Sequence, residues 1–150
     1  MSDPLADSLF PNIVAKDFFQ TLTSQKLGEG AHRTVYKLTL NPDLVVKLED
    51  KAFHFSNVYE WDVWNRVRHT KLAKWFAPCE HISPCGTVLI QKLAKDIEDL
   101  SLLPKEIPVF FTDVAPRNFG IYEGRVVCRD YGLNLLMERG MTNRLKTAEW

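Results

Sequence analysis

The sequence predicts an α+β domain: a five-stranded antiparallel sheet with one main helix, followed by a much reduced second half. Three observations predict it. Short runs rich in β-branched and aromatic residues alternate with Gly, Pro, Asn and Asp turn residues. One segment, from Phe55 to Phe76, breaks that rhythm with apolar residues at helical spacing. Hydrophobic residues make up 45% of 150, enough for one core in a chain of single-domain length.

The elements follow in order. Residues 1–22 read as an extension with a short helix over Asn12–Leu22, after Pro11. "SQKLG" (24–28) and "TVYKLTL" (34–40) read as strands joined through Glu29–Arg33. "NPD" at 41–43 is a turn with proline in its second position, and "LVVKLE" (44–49) is the third strand. In the helix, Asn57 with Glu60 three positions on reads as a capping box, and Val63, Trp64 and Val67 form the apolar stripe. Pro78 closes that region. "CEHIS" and "TVLIQKLA" then form a hairpin around Pro84–Gly86. "DIEDLSLLPKE" reads as a helical turn, "PVFFTDV" and "RVVCRD" as short strands, and 133–150 as a tail with one helix.

Composition removes several classes. The formal net charge is zero, which argues against a dedicated nucleic-acid binder, since phosphate backbones select basic surfaces. No stretch approaches the roughly 20 apolar residues of a membrane span. "MSDPLADSLF" carries acids before any apolar run and no basic stretch, unlike a secretory signal. Three cysteines, an odd number, suit a reducing compartment, so the expectation is cytoplasmic. Cys79, His81 and Cys85 in "CEHISPC" are zinc-ligand types, but their spacing fits no common finger; buried strand cysteines are the simpler reading.

The polar residues suggest chemistry. Glu60 shares a helical face with Val63, Trp64 and Val67, and a carboxylate there needs a partner. Lys47 alternates onto the same side as Val45 and needs one too. Two readings stand: a Lys47–Glu60 pair that holds an ammonium ready for a phosphate, or a solvated lysine with Glu60 only completing the cap. Gly28 and Gly30 in "GEGAHRTV" either let a backbone approach phosphate oxygens or make an ordinary hairpin turn. In "FFTDVAPRNFGIYEGRVVCRDYG", Asp113 can accept a proton or orient a hydroxyl. Asn118 and Asp130 offer the oxygen ligands that suit Mg²⁺. Each alone reads as a turn residue. Together, with a fixed lysine, they are the parts that phosphoryl transfer requires.

In this order the motifs resemble the protein-kinase-like fold, including the aminoglycoside and choline kinase branch, over roughly residues 24–132. "GEGAHRTV" resembles the glycine-rich loop, matching Gly28, Gly30 and Val35. "VVK" resembles the third-strand lysine motif, which implies that Lys47 meets the α/β-phosphates of ATP and pairs with Glu60. "DVAPRN" resembles the catalytic loop and implies Asp113 as base and Asn118 as metal ligand. "DYG" resembles Asp-Phe-Gly and implies Asp130 as the main Mg²⁺ ligand. Gln91–Ala94 would be the hinge whose backbone meets adenine. The implied division is an extension over 1–22, a nucleotide lobe over 23–94 and a reduced second lobe over 95–150.

The chain also departs from that pattern. Arg33 stands at the third loop glycine, Phe111 and Thr112 replace the His-Arg before the catalytic Asp, and Ala115 stands where protein kinases carry a lysine. Only residues 95–112 separate the hinge from Asp113, and no Ala-Pro-Glu follows Gly132. The run "LSLLPKEIPVFF" is therefore expected to be poorly covered, marking an interface for a protein partner or a homodimer through the reduced second lobe. Two functions follow: an ATP/Mg²⁺-dependent phosphotransferase acting on a protein hydroxyl or small-molecule acceptor, or a weak or inactive kinase-like protein that regulates a partner. A fragment of a longer kinase is a third reading. Such economy of length would suit a virus or mobile element acting on host proteins.

Overall fold

The computed structural model describes residues 19–49 and 54–150. Of the helix expected over Asn12–Leu22, residues 19–22 are described and are helical; the remainder lies outside the described residues. The protein is α+β. Five antiparallel strands form one sheet in the order β1-β2-β3-β5-β4: β1 Thr23–Glu29, β2 Thr34–Leu38, β3 Leu44–Leu48, β4 Cys79–Ile82 and β5 Val88–Lys92. The order of three strands, one helix and two strands is as the sequence indicated. β3 lies in the middle, with Val45, Val46 and Lys47 all buried, so both its faces are covered.

The helix α1, Ser56–Val67, buries Asn57, Glu60, Val63 and Val67. The capping box is not formed. Phe55 occupies the cap position in a left-handed conformation, φ 59°, and no side chain caps from there. Asn57 lies inside the first turn, and Glu49 Oε1 accepts from its backbone N–H at 3.0 Å. The Asn57 amide instead donates to the carbonyls of Lys47 and Thr87, both at 3.1 Å. A buried amide must satisfy its donors, and here its acceptors are in β3 and just ahead of β5 rather than at the helix end.

After β5 the chain makes a 3-10 turn at Leu100–Leu102, capped by Asp99, in the segment expected to turn helically. β6 is Glu106–Pro108, and it pairs with β9, Leu145–Thr147, near the tail. "PVFFTDV" is largely not a strand: Val109–Val114 runs irregularly because Phe110 and Phe111 both turn into the core, which alternation forbids. The hairpin lies further on, β7 Phe119–Tyr122 against β8 Arg125–Cys128, closed by Glu123 and Gly124 at φ 48° and 75°. Two residues at positive φ are what a tight hairpin turn demands. The tail holds a short helix α2, Leu136–Arg139, and β9.

The two halves share one core. Val63 and Val67 of α1, Leu72, Phe76 and Leu89 pack with Ile107, Phe110, Phe111, Phe119, Tyr131 and Leu136. Phe76 is its aromatic centre, with Phe110, Phe111 and Tyr131 at centroid distances of 5.9, 5.4 and 4.9 Å. Backbone stitches reinforce it: Ala77 N–H donates to Cys128 O, and Lys95 and Ile121 exchange both their hydrogen bonds. "LSLLPKEIPVFF" is accordingly better covered than expected. Ile107, Phe110 and Phe111 are buried, and Leu100 and Leu102 are the large apolar residues of the run left exposed. No helix among the described residues is long and apolar enough to cross a membrane.

Candidate functional site

Sheet register assembles the first part of the site. Gly28 faces Val35 across β1–β2, and Val35 faces Lys47 across β2–β3. Neither Gly28 nor Gly30 adopts positive φ, and a Cβ on Gly28 would meet open space. The protein's own packing therefore does not require glycine at position 28.

α1 supplies the second part. Glu60 is fully buried, and Lys47 Nζ lies 2.8 Å from its Oε2. Lys47 also donates to the carbonyl of Arg129, the residue before Asp130. The pair expected between Lys47 and Glu60 is thus present, and the solvated alternative does not describe it. Burial alone would push the Glu60 carboxyl up, but Arg33 and Lys47 outweigh it and bring it down to about 2. Its other oxygen, Oε1, accepts from Tyr131 N–H at 2.9 Å, tying α1 directly to "DYG". Tyr131 is fully buried and donates to Ala77 O at 2.8 Å, while its neighbour Asp130 stays half exposed.

The loop of Asp113 and Asn118 forms the third part. Asn118 is buried, and its Nδ2 donates to Asp113 O at 3.0 Å, fixing the amide's orientation. Its carbonyl accepts from Arg129 N–H at 2.8 Å and from Asp130 N–H at 3.3 Å. These contacts set the Asn118 and Asp130 backbones side by side. The Asp113 carboxylate is about half exposed, with Arg117 at 3.9 Å. Contacts therefore link Lys47, Glu60, Asn118 and Asp130 in one region, and Asp113 joins it through its carbonyl.

Sequence reasoning marked Arg33 without assigning its contacts, and missed the roles of Asn57 and Arg129. Arg33 Nη2 lies 2.8 Å from Glu60 Oε1 and 2.6 Å from Asp130 Oδ1, and Nη1 lies 3.2 Å from Asn57 Oδ1. Burial would lower the Arg33 pKa, but Glu60 and Asp130 raise it above its ordinary value. Its signal was present as a large cation replacing a loop glycine. Asn57 was taken for a cap. Arg129 reaches Ala94 O at 2.9 Å, Asp96 at 2.7 Å and Arg117 O, so it straps Ala94 and Asp96 to the Asn118 loop. Nothing local in "CRDYG" distinguishes it from a solvated arginine.

In Gln91–Ala94, Lys92 N–H donates to Pro78 O, Leu93 N–H donates to Asp43 O, and Ala94 O is taken by Arg129. A cleft of about 280 Å³ beside that stretch is lined by Asp43, Lys92, Leu93, Lys95, Ile121, Tyr122 and Glu123. A second, of about 430 Å³, lies over Trp75, Leu102, Pro104 and Ile121, and none of the polar constellation lines it.

Asp130 and Asn118 carry one carboxylate and one amide oxygen on adjoining backbones, donors of the hard type that Mg²⁺ takes. Cys79 and Cys128 are buried and Cys85 is exposed. Cys79 contacts Tyr131 Oη at 3.0 Å, and its burial pushes its thiol up to about 12. Among the described residues, no group of three or more His, Cys, Asp or Glu is arranged to hold a metal ion. No protein-family model matches the chain, and no curated protein sequence does.

Proposed function

We propose that the protein is a compact kinase-like phosphotransferase, using ATP and Mg²⁺ to phosphorylate a protein hydroxyl or a small-molecule acceptor. The observation that carries this reading is the buried Lys47–Glu60 pair at 2.8 Å, locked to the backbone around Asp130. Removing two charges from water is costly and rarely repaid in stability alone. A cation oriented in advance, by contrast, is what phosphoryl transfer uses.

Lys47 would hold the α/β-phosphates beneath the Gly28–Gly30 backbone and Val35. Asn118 and Asp130 would hold Mg²⁺, which supplies neutralisation of the charge on the phosphate oxygens. Asp113 accepts the acceptor's hydroxyl proton. The hydroxyl oxygen bonds to the γ-phosphorus as the bond to the β–γ bridging oxygen breaks, and ADP leaves with the electron pair. Base recognition at Gln91–Ala94 would fall to backbone groups other than the Lys92 and Leu93 amides and the Ala94 carbonyl.

The Arg33–Asp130 contact favours a second reading, a weak or inactive kinase-like regulator that binds a partner protein through residues 95–150. The test is ATP binding and γ-phosphate transfer, including autophosphorylation, with and without Mg²⁺, in wild type, Asp113→Asn and Asp130→Asn. Transfer by wild type that both substitutions abolish supports the enzyme. Absence of ATP binding in all three sinks it and leaves the partner-binding protein. Binding without transfer points to a nucleotide-gated regulator.

A further inference from the structure

Arg33 makes two contacts of different kinds. Glu60 already has Lys47 at 2.8 Å, so Arg33 is a second cation on that carboxylate. On Asp130, the ion pair is Arg33 alone among the described residues, at 2.6 Å. The arginine side chain is only 10% exposed while Asp130 is 54% exposed, so the carboxylate reaches inward to a cation anchored by Glu60 and Asn57. A guanidinium and a divalent cation want the same carboxylate oxygens, and both cannot hold them at contact distance, because like charges repel there.

We propose that Arg33 is a built-in cation that holds Asp130 until a divalent ion displaces it, so that this one residue sets the metal affinity of the Asp130–Asn118 site. The inference rests on the reading of those two residues as metal ligands. The exchange is coupled to the β1–β2 loop, because Arg33 lies in it and its carbonyl accepts from Gly30 N–H at 2.8 Å. When an ion takes Asp130, Arg33 keeps Glu60 and Asn57 and loses its outermost tie, and the loop loosens where phosphate would enter. Metal affinity is reduced by the fraction of molecules in which Arg33 holds Asp130.

The test is Mn²⁺ binding to the full chain without nucleotide, by calorimetry and electron paramagnetic resonance. Wild type is compared with Arg33→Gln, Arg33→Lys and Asp130→Asn, with amide exchange of residues 30–34 measured metal-free. Arg33→Gln should bind Mn²⁺ on the order of tenfold tighter than wild type. Arg33→Lys, which loses the fork that spans two carboxylates, should shift the same way and carries the comparison if Arg33→Gln does not fold. Asp130→Asn should speed exchange in the loop. Equal or weaker Mn²⁺ binding in the Arg33 variants overturns the competition alone, as does unchanged loop exchange in Asp130→Asn. Binding of Mn²⁺ by neither wild type nor any Arg33 variant overturns the metal-ligand reading itself, and the competition with it.

Discussion

Glu60 is the residue on which the polar network turns. Two cations and one backbone N–H converge on a carboxylate with no solvent contact. Removing it leaves Lys47 and Arg33 facing each other in a buried site, so Glu60→Ala should cost about 3–5 kcal/mol in urea unfolding. Its protonation should act in the same direction. The folded carboxyl sits near 2 against an ordinary 4.5, so its stabilisation is complete above about pH 5. It is lost as pH falls toward 2. The stability gap between wild type and Glu60→Gln should therefore narrow over that interval, and a gap constant with pH would contradict the network as described.

At the level of elements, two glycines at two strands carry opposite constraints. A Cβ on Gly28 of β1 meets nothing within 4 Å, so Gly28→Ala should leave the melting temperature close to wild type. It should weaken ATP binding, because only a ligand approaching that backbone would feel the methyl group. Gly120 of β7 is different: a Cβ would come within 2.8 Å of Ala94 Cβ and of the Lys95 carbonyl. Gly120→Ala should destabilise by about 1–3 kcal/mol, since the obstacles are a carbonyl and a Cβ fixed to the backbone rather than the end of a flexible side chain. Loss of ATP binding in Gly120→Ala without loss of stability would show that this close approach is not structural.

For the whole molecule, the question is what covers residues 95–150. The core extends into this half through Ile107, Phe110 and Phe119, yet Leu100, Leu102, Leu133 and Met141 remain exposed at 54–75%. Exposed apolar groups of this kind favour association. Sedimentation should show a concentration-dependent dimer that Leu100→Lys with Leu102→Lys weakens. A clean monomer at high concentration would leave a different protein as the partner to seek.

Much of the first half was legible from sequence. β-Branched runs, the Asn41–Asp43 turn and the Val63/Val67 stripe are local signals, so the strand–helix–strand order followed from neighbours along the chain. The Lys47–Glu60 pair was one of two readings that the residues left open and the one that the resemblance implied; burial of both groups against each other decides it. Asn57 was misread because its side chain bonds the sheet, and "PVFFTDV" because consecutive phenylalanines enter a core built from distant elements. Arg129 looks like a solvated cation in sequence, and Arg33 shows there only as a charge standing at a loop glycine. Only the fold brings Arg33 to Asp130, and Arg129 to Ala94 and Arg117, across separations of 97, 35 and 12 residues. The sequence by itself determined which chemical groups were available and which had to be buried. The tertiary structure decided which cation holds which carboxylate, because charge pairing depends on distances that chain separation does not encode.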